Sequence, residues 1–247
     1  MILPLLCHLL VAAASLRVCG SETLGQVANT WSAGWNAQMP QISVETHFPG
    51  SGTSLAALAE GTCQVALLSR APDSAYLRLV ERRIGMPVLI DQVGWDEVVF
   101  FVHTSNPLRS LSEPELRRTL GTPDKTWRIY SRNALSGTYA WVRARILSGK
   151  PFAPTTRELP GPEGVVRAVA ADPRGIGYAG REAVHGEVRI LELRDGAGSP
   201  LRLYRPLFLA RTRDNRLAAQ FSGYACSRPG QEQLGHCGLI PLDRGTH

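Results

Sequence analysis

Short apolar runs alternate along the chain with longer stretches whose apolar residues recur every three or four positions. Leu16-Arg17-Val18-Cys19 predicts a first strand, followed by the polar turn Gly20-Ser21-Glu22-Thr23-Leu24 and a helix carrying Trp31 and Trp35. Residues 41–48 alternate, with Val44, Thr46 and Phe48 on one face, as a half-buried strand does. The turn Pro49-Gly50-Ser51-Gly52-Thr53 then opens a helix whose stripe is Leu55, Leu58 and Ala59, closed by Gly61. Residues 64–68 form an apolar strand ending at Ser69-Arg70, and a charged amphipathic helix runs on to Arg83.

The same rhythm continues. Residues 87–90 and 97–103 predict two strands, and Asn106-Pro107-Leu108 breaks the second. Ser112 with Glu115 three residues on, and Pro114 between them, predicts a capping box opening a helix that buries Leu116 and Leu120. Residues 127–130 predict a strand ending near Arg132; Ser136-Gly137-Thr138 then opens a helix over 139–147. A helix over 161–170 turns Val165, Val166 and Val169 inward, and Gly175-Ile176-Gly177-Tyr178-Ala179 is a glycine-rich strand. Strands over 188–193 and 201–210 and a helix over 215–225 complete the pattern.

Strands alternating with helices predict an α/β fold with mostly parallel sheets, in which ligands bind beyond the carboxyl ends of the strands. Four turns lie at such ends: Ser21/Thr23, Ser51/Thr53, Ser69/Arg70 and Arg132/Ser136/Thr138. A single Ser or Thr before a helix is an ordinary N-cap. Four together, two of them with an arginine, point to a shared anion site, because a helix start offers unpaired N–H groups and partial positive charge.

Composition narrows the function. A chain of 247 residues with 44% hydrophobic and 19% charged residues can build one large core or two lobes. The net charge of +6 is spread along the chain with no basic block, which argues against a nucleic-acid arm or polybasic membrane patch. Residues 1–15 read as a secretory signal peptide, too short for a spanning helix, so the mature chain is expected to be exported and to have no membrane span. Cleavage would remove Cys7 and leave Cys19, Cys63, Cys226 and Cys237, which allow three pairings; Cys226 and Cys237 are near enough in sequence to staple the last helix to its tail. There is no C-x-x-C pair and the histidines are scattered, so neither a metal nor a cofactor is expected. An enzyme with Ser51 or Ser136 as nucleophile lacks the G-x-S-x-G elbow and a flanking histidine motif, and a P-loop lacks its Gly-Lys-Ser/Thr.

Taken in order, Gly20-Ser21-x-Thr23-Leu24, Gly50-Ser51-Gly52-Thr53, Leu68-Ser69-Arg70-Ala71-Pro72, Asn106-Pro107-Leu108 with Leu111-Ser112, Arg132-x-x-x-Ser136-Gly137-Thr138 and Gly175-Ile176-Gly177-Tyr178 form a series. It resembles the periplasmic phosphate-binding proteins of ABC importers over about residues 16–240. The resemblance implies a two-lobed periplasmic-binding-protein-like fold, each lobe a mostly parallel sheet flanked by helices, closing on dehydrated inorganic phosphate or a similar tetrahedral oxyanion. Lobe 1 would hold residues 16–97 plus 211–247 and lobe 2 residues 98–210, with crossings near 98–102 and 205–210. Thr23 and Leu24 would supply hydroxyl and backbone N–H contacts, Ser51 both kinds, Arg132 the pairing charge, and Ser136, Gly137 and Thr138 a cap from the second lobe.

Ser69 and Arg70 complete the implied set, with one departure from the family. Many members carry an acid after this serine, which accepts the proton of protonated phosphate and excludes sulfate; Arg70 stands there instead. Asp73, Asp91, Asp96 and Glu97 are candidates to replace that acid, and Arg70 has the alternative of pairing with Asp73 or a carboxylate outside the site. The expected partners are the ligand and the permease subunits of an ABC importer, and the expected state is a monomer. The competing reading is an anion sensor or assembly protein without a transport role.

Overall fold

The computed structural model describes residues 14–242. The first half of the sheet is built from β1 (Ala14–Gly20), β2 (Ile42–His47) and β3 (Val65–Leu68). β1 lies between β2 and β3 and runs parallel to both. Such connections need a crossover, and two helices supply it: α1 (Gly25–Gln38) between β1 and β2, and α2 (Ser51–Ala59) between β2 and β3. Of the stretch read as a leader, residues 1–13 lie outside the described residues; Ala14 and Ser15 begin β1, opposite Ile42 and Ser43.

After α3 (Ser74–Ile84) comes β4 (Val88–His103), a single 16-residue strand where the sequence pattern suggests two. Asp91, Gln92, Gly94 and Asp96 interrupt its apolar run, yet all lie in register with the antiparallel strand described below. β5 (Ser110–Ser112) leads to α4 (Glu113–Gly121), which opens with the expected capping box between Ser112 and Glu115.

The second half repeats the first: β6 (Arg128–Arg132), α5 (Gly137–Arg145), β7 (Arg157–Leu159), α6 (Pro162–Ala170), β8 (Gly175–Gly180). β6 is again the central strand, parallel to β7 and β8. Short strands β9 (Val188–Ile190), β10 (Glu192–Arg194) and β11 (Pro200–Leu201) lead to β12 (Tyr204–Thr212). β12 runs antiparallel between β3 and β4, so the path through the sheet is β2-β1-β3-β12-β4-β8-β6-β7. The chain ends in α7 (Arg216–Cys226) and α8 (Arg228–His236). The sequence pattern did not predict α8, because Pro229-Gly230 reads as a break; in place, Ser227 caps the helix and Pro229 falls in its first turn, where its missing N–H costs nothing.

Each half is a sheet covered on both faces, and the alternation of side chains shows it. Along β3, Val65 and Leu67 pack with Trp31, Trp35, Phe221 and Leu234. Their neighbours Ala66 and Leu68 pack with Leu55, Leu58 and Val80 on the other face. Along β4, Phe100 and Val102 join Leu116, Ile146 and Tyr178, whereas Val99 and Phe101 join the inward stripe Val165, Val166 and Val169 of α6. Strands buried on both faces read as near-continuous apolar runs, which is why the sequence pattern located them.

A disulfide joins Cys19, near the end of β1, to Cys63, just before β3. Cys226 and Cys237 are free thiols, so the staple considered between them is not formed. α8 intervenes, and its nine residues at about 1.5 Å rise hold the two cysteines roughly 14 Å apart, beyond disulfide reach. Cys226 Sγ faces the Gln92 carbonyl and Cys237 Sγ faces Thr30.

Candidate functional site

The carboxyl ends of β1, β2, β3 and β6 converge on one small gap lined by Ser21, Glu22, Thr23, Gly50, Ser51, Ser69, Arg132, Ser136, Gly137 and Thr138. Thr23 lies in a 3-10 turn (Glu22–Leu24) directly after β1, Ser51 is the first residue of α2, and Ser69 follows β3. Arg132 ends β6, and Ser136 caps α5 with its Oγ accepting from the Thr138 and Tyr139 N–H groups at 3.2 and 3.4 Å. The N–H of Gly137, first in that helix, is one of the donors an α-helix leaves unpaired at its start.

Except for Glu22, whose side chain is 28% exposed, these groups are withdrawn from solvent; Ser69 is 1% and Arg132 2% exposed. Buried polar atoms need partners, and several find them here. Ser51 Oγ lies 3.0 Å from Ser69 Oγ and accepts from the Ser69 N–H at 3.1 Å. Arg132 Nη2 is ion-paired with Glu22 Oε2, whereas its Nε is buried without a partner among the described residues. A buried guanidinium with a free N–H beside serine and threonine hydroxyls and two helix starts is a donor set for a compact anion. Behind Arg132, Ser131 Oγ meets the Tyr178 hydroxyl at 2.6 Å. Burial raises the Tyr178 pKa, so the phenol stays neutral and anchors the end of β6.

The two halves approach closely at this point. Gly52 N–H donates to the Leu135 carbonyl at 2.9 Å, joining α2 to the loop before α5. A Cβ on Gly137 would lie 2.7 Å from Ser51 Oγ, and one on Gly50 would lie 2.7 Å from the Leu135 oxygen. Gly50 also holds φ 111°, a conformation that favours glycine.

Of the residues anticipated for the site, Thr23, Ser51, Ser69, Arg132, Ser136, Gly137 and Thr138 are brought together. Leu24 and Arg70 are not among the lining residues. The Leu24 side chain is fully buried in the core against Trp31, and its N–H donates to the Ser21 carbonyl. Arg70 is half-buried, with its Nη1 3.5 Å from the Ala71 carbonyl, and it makes no ion pair among the described residues. Asp73 instead caps α3, and Asp91 pairs with Arg211. Glu97 pairs with Arg181 in a separate groove of about 360 Å³. The acid that reaches the gap is Glu22, inside the first polar turn; its partner Arg132 is 110 residues away, which conceals the pairing in the sequence. Asp96, the remaining candidate acid, pairs with Arg205 just behind the threonines, and it is Arg205 that the sequence reading missed. Among the described residues no cluster of His, Cys, Asp and Glu suits a metal ion, and no helix is long and apolar enough to cross a membrane.

Two halves of like topology, joined through long antiparallel strands with a polar gap between their strand ends, define a two-lobed binding-protein fold. A family model described as a PBP superfamily domain matches residues 11–189, and the chain belongs to that superfamily. Among curated relatives, the phosphate-binding protein PstS of Pseudomonas aeruginosa is 26% identical over an alignment covering 93% of this chain and 84% of the relative. Two solved structures share the fold. A putative phosphate ABC transporter substrate-binding protein with bound phosphate from Clostridium perfringens has a TM-score of 0.80 at 18% identity, covering 92% of this chain and 99% of that one. An ABC-type phosphate transport receptor from Vibrio cholerae has a TM-score of 0.74 at 17% identity, covering 92% and 100%.

Proposed function

We propose that this protein is a non-catalytic substrate-binding protein that takes inorganic phosphate between its lobes and hands it to an ABC permease. The carrying observation is the buried Arg132 Nε, without a partner among the described residues, at a gap lined by Ser51, Ser69, Ser136 and Thr138. The PstS relative and the two phosphate-receptor folds support the same reading. Affinity would come from charge-assisted hydrogen bonds to a desolvated anion as the lobes close. The ligand contacts would be Thr23, Ser51, Ser69, Arg132, Ser136, Gly137 and Thr138.

Lobe 1 would comprise residues 16–97 and 211–247 and lobe 2 residues 98–210. In support, β4 pairs with β12 up to Glu97 and with β8 from Val98 onward. The Cys19–Cys63 bridge supports export to an oxidising compartment such as the periplasm, with residues 1–15 as the leader. The working form would be a monomer.

Glu22 would take the part that Arg70 leaves open. Its carboxylate can accept the proton of a protonated phosphate but can only oppose the lone pairs of sulfate. Calorimetric titration of the anion-free protein with phosphate, arsenate and sulfate tests this. Heat is expected with the first two and little with sulfate, and Glu22→Gln should improve sulfate relative to phosphate by about tenfold or more. No heat with any of the three anions would overturn the proposed function.

A further inference from the structure

We infer that Arg205 is a positioning residue of this site, aiming the hydroxyls of Thr23 and Thr138 at the bound anion from behind. The inference rests on the phosphate reading above. Arg205 is fully buried in β12, directly opposite Asp96 of β4. Its Nη2 donates to Thr23 Oγ1 and its Nη1 to Thr138 Oγ1, both at 2.9 Å. One guanidinium thus holds a hydroxyl from each half of the molecule.

The chemistry follows from counting hydrogens. A threonine hydroxyl has two lone pairs and one hydrogen. Once a lone pair is engaged by Arg205, the hydrogen is directed away from the guanidinium. Neither hydroxyl donates to a protein acceptor among the described residues, and both residues line the gap. The two donors are therefore set before the ligand arrives, which spares the cost of orienting them on binding.

The surroundings keep Arg205 from acting as a second free charge. Asp96 Oδ2 accepts from Nε at 2.7 Å and from Nη2 at 2.5 Å. Glu182, in the turn after β8, is hydrogen-bonded to Asp96, and burial, followed by the neighbouring Asp96 charge, pushes its carboxyl well above the usual range. Asp96 Oδ1 and Glu182 Oε2 are both buried without another partner among the described residues, so a proton held by Glu182 would join them. Arg205 and Asp96 form a fully buried ion pair, so Arg205 is not a free charge at the gap. The planar fork of Arg205 reaches the carboxylate and both threonines at once; a lysine ammonium is a point donor that cannot span them.

The test is a double-mutant cycle on the whole chain, read by calorimetry with inorganic phosphate and by urea denaturation of the anion-free protein. Arg205→Lys should weaken phosphate binding by roughly 10- to 100-fold, and Thr138→Val by a similar factor. The double variant should bind at least about fivefold better than the product of the two losses predicts, because both act on one hydroxyl. Losses that multiply within about twofold, or a lower denaturation midpoint with unchanged affinity, would overturn the inference. If Arg205→Lys does not fold, Arg205→Gln with Asp96→Asn removes both buried charges and carries the same cycle. A wild-type protein silent to phosphate overturns the phosphate reading and this inference with it; multiplicative losses in a protein that binds overturn this inference alone.

Discussion

β1 and β6 each lie at the centre of three parallel strands, and each ends in a polar turn that starts a helix at the gap. The turns that follow have diverged. After β1 and β3 the first half presents neutral donors and one acid, namely Thr23, Ser69 and Glu22, and after β2 it presents Ser51 at the start of α2. After β6 the second half presents Arg132 and the Ser136-capped start of α5. The equivalent of α2 in the second half is α6, which opens with Gly161-Pro162 and so lacks the first N–H; neither residue reaches the gap. The equivalent of Ser69, after β8, is the turn holding Glu182, which buttresses Asp96 instead. One topology thus provides six strand-end turns, and side-chain chemistry places an arginine at the gap in one half and neutral hydroxyls with one acid in the other.

The largest expected effect tests that division of labour. In the proposed site, Arg132→Ala removes the charge that would pair with the anion, leaving the ligand buried and the half-buried Glu22 without a cation. Truncating one partner of a buried charge pair costs about 2–5 kcal/mol, so phosphate affinity measured by calorimetry should fall at least ~30-fold. A loss below about 0.5 kcal/mol would show that the second half does not carry the attraction. Ser51→Ala, on the neutral side, should cost less, about 1.5–3 kcal/mol for a hydrogen bond to a charged group.

The two halves also differ in how they are held. The first contains the Cys19–Cys63 bridge, closing a loop with a sequence separation of 44, whereas the second has no disulfide among its described residues. Chain-entropy reasoning assigns a loop of that size about 4 kcal/mol. Cys63→Ser should lower the urea midpoint accordingly, and hydrogen exchange should quicken in β1 and β3 before β6 and β8. Equal quickening in both halves would mean that they unfold as one unit.

How much of this was legible depended on the range of the interactions. β1, β3, β6 and β8 were readable because burial on both faces demands apolar runs, and the Ser112–Glu115 box was readable because its partners are three residues apart. Ser51, Ser69 and Ser136 were readable as polar residues at strand ends. The rest depends on distant partners. β4 looked interrupted at Asp91 and Asp96 because their cations, Arg211 and Arg205, come more than a hundred residues later. Glu22 looked like turn filler for the same reason, and Arg205 like an ordinary polar position in a strand. A local pattern reports what a residue does to its own element, and charges paired across the fold leave no local trace.

The smallest expected effect concerns the turn after β8, where the second half has a buttress in place of a serine at the gap. Glu182 faces Asp96 of β4 and Arg205 of β12, and the backbone around Gly238 closes over it. Its folded pKa is raised, first by burial and then by the Asp96 charge. Between its ordinary value near 4.5 and that raised value, the folded protein holds a proton that the unfolded chain has released. Stability in this window therefore falls as pH rises, by up to about 1.4 kcal/mol per pH unit for one proton. Glu182→Gln keeps the hydrogen bond to Asp96 without the titrating group. Urea denaturation across pH 5–8 should give a wild-type curve that declines relative to the variant, with the two nearest at the acid end. Parallel curves would mean that Glu182 titrates normally, and that the second half holds a charge at the position where the first half places a neutral serine.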